Sequence, residues 1–128
     1  MADQPREYYR RLVDMAMMAG EILMSVGAET RRVEDTILHI LATSGFANAD
    51  AFVLRTGITI TLSDPRYKTI SITRRVYSGP PHLSKICDVN NVSREFCAGN
   101  INIEQAERKL RGIKRARLYS DKQLLFSH

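Results

Sequence analysis

"RTGITITLSDPRYKTISIT" runs from Arg55 to Thr73, and its hydrophobic period decides the fold. Ile58, Ile60 and Leu62 alternate with Thr59, Thr61 and Ser63. Ile70 and Ile72 alternate with Thr69, Ser71 and Thr73. A period of two places every apolar side chain on one face of a strand, so both runs read as half-buried strands. Asp64-Pro65-Arg66-Tyr67 between them is turn chemistry, because proline presets its own φ. Ala51 to Thr56, ahead of Gly57, reads as a further strand. Three short strands joined by tight turns predict an antiparallel meander.

On either side of this segment the period becomes helical. Upstream, Leu12, Met15, Ala19, Ile22 and Val26 recur at helical spacing and predict a first helix over about Arg6–Ser25. Gly27 stops it, since glycine accepts the left-handed conformation that closes a helix. A second helix is expected over about Thr30–Ser44, with Val33, Ile37, Ile40 and Leu41 buried, Thr30 as its cap and Gly45 as its end. Glu34 and Asp35 would then lie near its positive N-terminal end. The short connection between these two helices predicts an antiparallel hairpin.

Downstream, Gly79-Pro80-Pro81 closes the sheet and opens a third helix over about His82–Ala98, with Leu83, Ile86, Val89 and Phe96 inward and Gly99 as its stop. Asn102 and Gln105 have capping-box spacing for a fourth helix with Ile103, Ala106, Leu110 and Ile113 inward. After Ala116 the sequence reads as a basic, fraying tail. The fold class is therefore α+β, ordered α-α-β-β-β-α-α, with the helices on one face of the sheet. The domain is expected over residues 1–116 and the tail over 117–128.

The 128 residues suit one domain, and 44% hydrophobic content suits a globular core. Cys87 and Cys97 lie too far apart on one helix to pair, and read as reduced, buried thiols of a cytosolic protein. No apolar run approaches the roughly 18–20 residues of a membrane helix. Residues 1–11 do not resemble a signal peptide, so the chain reads as soluble. The net charge of +5 is uneven: Arg108, Lys109, Arg111, Lys114, Arg115, Arg117 and Lys122 crowd together near the C-terminus. Such a stretch meets solvent, anionic lipid or nucleic acid. Nucleic acid is disfavoured, because only Tyr119 accompanies the charge and no reading motif is present.

His39, His82 and His128 lack ligand spacing, so no metal is expected. The absence of a Walker loop and a dinucleotide fingerprint leaves no cofactor expected either. The best polar candidate is the charged run from Glu29 to Asp35. In the structural reading Arg31 pairs with Asp35, and Glu29 with Arg32, along the helix. In the functional reading Glu29 and Arg32 converge with Arg55 or Thr56 on a small anion or amino acid, since arginine grips a carboxylate bidentately.

"GAETRRVEDTI" (27–37) and "HLSKICDVNNVSREFCAGNINIEQAERKL" (82–110) resemble the threonine/serine exporter family, with the "RTGITITL" strand between them. The resemblance covers roughly residues 10 to 115. It implies an exporter of small amino acids or related carboxylates, in which a hydrophilic N-terminal region precedes several membrane helices. Gly27, Glu29, Thr30, Arg32, Glu34 and Asp35 are the motif positions it carries over. On that basis the chain is expected to be a regulatory or docking domain at the cytoplasmic face of the membrane. Its basic tail would then be juxtamembrane, leading to membrane helices outside this chain. Its partners would be a membrane-embedded portion or subunit, an anionic lipid surface, a small amino acid or carboxylate, and a further copy of itself. Two alternatives stand beside this. One is a small hydrolase with Thr30 or Thr56 as nucleophile and Glu29 or Glu34 as base. The other is a basic adaptor for nucleic acid or anionic lipid.

Overall fold

A computed structural model describes the backbone of residues 3–126 and the side chains of residues 6–116. The order is α1 (Asp3–Ser25), α2 (Thr30–Ala42), β1 (Asn48–Leu54), β2 (Gly57–Asp64), β3 (Tyr67–Arg75), α3 (Leu83–Cys97) and α4 (Ile103–Phe126). It matches the order read from the two hydrophobic periods. The sheet is the antiparallel meander β1-β2-β3. Ile60 sits between Ala51 on β1 and Ile72 on β3. The β2–β3 turn carries an irregularity between Leu62 and Asp64.

Ile58, Ile60 and Leu62 are fully buried beneath α1 and α2. The opposite face of the sheet is open, and there Thr59 bonds Thr73 at 3.0 Å. α3 and α4 pack on α1 and on each other, forming an outer layer. α1 is therefore the centre of the molecule, and its apolar surface is wider than the single expected stripe. Val13, Ala16, Met17, Leu23 and Met24 are buried as well. A helix that is apolar on most sides is stable only when covered on most sides.

The helix ends follow the sequence closely, with three corrections. Gly27, Gly45 and Gly99 all adopt positive φ after a helix. Behind α1, Ala28 N–H reaches Leu23 O at 3.0 Å and Gly27 N–H reaches Met24 O at 3.1 Å, the double bond of a Schellman stop. The box before α4 forms in both directions, with Gln105 N–H on Asn102 Oδ1 at 2.8 Å and Asn102 N–H on Gln105 Oε1 at 2.9 Å.

The first correction concerns α2, where Glu29 and not Thr30 is the capping residue, and its side chain makes no capping bond. Thr30 is already helical. The first turn holds no acid, so Glu34 and Asp35 lie one turn too deep for the end-charge effect, which fades within the first turn. Second, Leu83 is 77% exposed instead of buried, because it opens α3 and the helix reaches the core only at Ile86. Third, α4 does not fray at Ala116 but continues to Phe126. After Gly112 the sequence has no proline or glycine to break it.

Two polar locks were not legible from periodicity. Glu107 on α4 is buried and takes Arg11 Nε of α1 at 2.5 Å, with Arg111 at 3.6 Å. Asp64, 8% exposed at the end of β2, accepts the N–H groups of Ala47 and Arg66 at 3.0 Å and the Arg66 guanidinium at 2.8 Å. Beside it Phe46 and Tyr67 stack at 5.2 Å, with Tyr9 4.4 Å from Phe46.

The Arg66 bonds hold the Asp64 carboxyl far below the usual carboxylate range. As pH falls, the unfolded chain takes up this proton first, so the stabilisation is complete above the unfolded pKa of about 4 and fades below it. Asp64→Asn is expected to lower the melting temperature at neutral pH. Melting curves run from about pH 6 down to about pH 3 should show the gap to wild type closing on the acid side. A gap independent of pH would refute this role for the carboxylate.

Candidate functional site

The start of α2 lies between two clefts, and Glu29 and Arg31 line both. The first, of about 520 Å³, separates α2 from α3. Arg32, Asp35 and His39 project into it from α2 at i, i+3 and i+7, while Asn90, Arg94 and Cys97 answer from α3 at i, i+4 and i+7. Each helix thus carries a polar stripe at helical spacing next to its buried stripe. Thr36 and Ser93 are buried beneath the cleft. Thr36 Oγ1 is already committed to Arg32 O at 3.0 Å.

The second cleft, of about 480 Å³, lies where α1 ends, α2 begins and β1 turns into β2. Gly27, Thr30 and Arg55 line it with the strap between β3 and α3. The strap is tied down by Gly79 N–H on Met24 O at 3.1 Å and His82 N–H on Val26 O at 2.9 Å. Ser78 Oγ donates to Arg55 O at 2.9 Å.

The structure therefore divides the residues picked from sequence. Glu29, Thr30, Gly27 and Arg55 share one cleft, while Glu29, Arg32 and Asp35 share the other. Glu34 and Thr56 line neither. Thr56 sits in the β1–β2 turn, with its carbonyl taken by Val76 N–H at 3.1 Å. The expected Arg31–Asp35 and Glu29–Arg32 pairs do not form: among the described residues no carboxylate lies within 4.0 Å of Arg31, Arg32 or Arg94. The α2–α3 cleft thus holds three guanidinium groups and two carboxylates that form no ion pair among the described residues.

Sequence reasoning missed the α3 wall of this cleft. Its signal was present as the spacing of Asn90, Arg94 and Cys97. Which helix face α3 turns toward α2 depends on tertiary packing, and so was not legible. Both cysteines are free and exposed, not buried. Cys97 Sγ lies 3.5 Å from His39 O. Partial desolvation of the sulfur where α3 meets α2 pushes the Cys97 thiol above its ordinary value, against a partial offset from Ser93. The shift disfavours the thiolate, the form in which a cysteine acts as a nucleophile. Among the described residues, no hydrogen bond links Thr30 or Thr56 to Glu29 or Glu34. The cleft wall thus sets guanidinium donors and carboxylate acceptors side by side.

The chain matches, over residues 14–128, the family model described as "Putative threonine/serine exporter". It belongs to the threonine/serine exporter family. No curated protein and no solved structure matches it. The exporter match takes in all of α2, the sheet, α3 and both clefts. Among the described residues of this exporter-family chain, no helix is long and apolar enough to cross a membrane.

Proposed function

We propose that this chain is the extramembrane, cytoplasmic domain of a threonine/serine exporter-like transporter, and that it docks on and regulates a membrane-embedded portion through the start of α2. The family match over residues 14–128 carries this reading. The basic run of α4 supports the cytoplasmic side, since positive charge accumulates there beside membrane helices.

In this reading the α2–α3 cleft senses a small amino acid. Arg32 and Arg94 take the carboxylate, because a guanidinium offers two parallel donors. Asp35 or Glu29 takes the ammonium group. A site that binds the cargo in the cytoplasm can tie export to its concentration.

The test is threonine efflux from cells lacking their own exporter, with this chain supplied together with the membrane portion. Arg32→Ala and Asp35→Asn are exposed changes, expected to leave stability within about 0.5 kcal/mol. Efflux should fall about tenfold or more at unchanged protein level, as expected for loss of a charge-assisted contact. Wild-type efflux from both variants would rule out the cleft as the regulatory site.

A further inference from the structure

We propose that the pole of the domain where α1 ends is itself a docking surface for an anionic lipid bilayer. This rests on the placement at a membrane argued above, but it adds a contact made by the folded domain alone.

Exposed apolar side chains gather at this pole. Tyr77 is 79% exposed, and Leu83 lies at the other end of the same strap. Leu54 is half-exposed beside the β1–β2 turn. These are not loose chain ends. The strap carrying Tyr77 and Leu83 is fixed by backbone bonds from Val76 to Thr56, from Gly79 to Met24 and from His82 to Val26. A large apolar side chain held rigidly in water gains free energy from any apolar phase it can enter, and aromatic rings are favoured at the bilayer interface.

The same pole is basic. Arg55 follows Leu54 directly, and Arg75 and Lys114 line a cleft together with Tyr77 and with Ser25 at the end of α1. Glu21 and Glu29 are the acids at these clefts. α4 points the same way. Arg11 meets Glu107, and further along α1 Ser25 shares a cleft with Lys114, so α1 and α4 run side by side in one direction. The basic end of α4 therefore approaches the face that Tyr77 and Leu83 present. Apolar anchors ringed by cations match an interfacial bilayer contact, with side chains entering the headgroup boundary and arginines on lipid phosphates. Nucleic acid would use the cations but leave the anchors wet.

The test is co-sedimentation of the whole chain with phosphatidylcholine vesicles, with and without about a third phosphatidylglycerol. Binding is expected only to the anionic vesicles, and it should weaken steeply with salt. Arg75→Ala and Lys114→Ala should each lower partitioning about fivefold. Tyr77→Ser with Leu83→Ser should lower it further at an unchanged melting temperature. Equal affinity of this double variant would overturn the proposal, as it would leave the α4 charges as the sole contact. Failure to bind anionic vesicles, tighter binding to duplex DNA, or self-association through the same residues would also overturn it. The efflux experiment reads the α2–α3 cleft, so either result can fail alone.

Discussion

Replacing Gly27 with alanine is expected to destabilise the fold by about 2–5 kcal/mol, through two terms that add at this one position. The residue sits at φ +80, where a Cβ costs about 1–2 kcal/mol. A Cβ there would also lie 2.5 Å from the Cα and N of Pro81 and 2.6 Å from the carbonyl carbon of Pro80. These are backbone atoms of a strap held by hydrogen bonds and cannot rotate away, so overpacking adds about 1–3 kcal/mol. Urea unfolding would show a lower midpoint at an unchanged slope. Glu29→Gln, two residues on, is exposed and should leave that midpoint nearly unmoved. The contrast divides the run beginning at Gly27 into a residue that shapes the strap and residues that face the clefts. A Gly27→Ala protein as stable as wild type would show that the strap yields.

Ile37→Ala is the second large effect, at about 2–5 kcal/mol. Ile37 is fully buried where α1, α2 and β2 meet. The contact is close enough to measure from Gly20 on α1: a Cβ there would stand 2.9 Å from Ile37 Cδ1 and 3.0 Å from Ile58 Cδ1. Gly20 is thus the gap that admits both isoleucines. Gly20→Ala alone sets a helix-propensity gain of about 1 kcal/mol against crowding of two Cδ1 atoms, whereas in combination with Ile37→Val, which removes Cδ1, the added methyl gains room. The double variant should therefore be more stable than the sum of its single changes, by about 0.5 kcal/mol or more. Strict additivity in chemical denaturation would refute this close three-way contact.

The architecture was legible where the physics is local. The alternation around Ile60 and the glycines after α1 and α3 depend on neighbours a few residues away, and each reading held. The Asn102–Gln105 box held for the same reason. Leu83 failed because a helical wheel shows which residues share a face but not which turn first meets the core. Thr30 failed as a cap by a single position, the usual error at a helix boundary. Asp64 was legible only as turn chemistry and Glu107 carried no signal, since their partners Ala47 and Arg11 are remote in sequence. The cleft was half visible. Its α2 wall lay in the charged run, and its α3 wall needed the fold to bring Arg94 opposite Arg32.

The strap between β3 and α3 hangs from two carbonyls at the corner where α1 stops, that of Met24, which also accepts the Gly27 N–H, and that of Val26 just past the helix. Tilting α3, or pulling on the sheet through Val76, must therefore drag the corner at Gly27 along or break a bond. Force applied to the strap would arrive at Glu29 within a few covalent links, by a rigid linkage and not by diffusion of a slack loop. A stiff lever of this kind would carry any movement of the strap to the cleft that Glu29 and the strap line together.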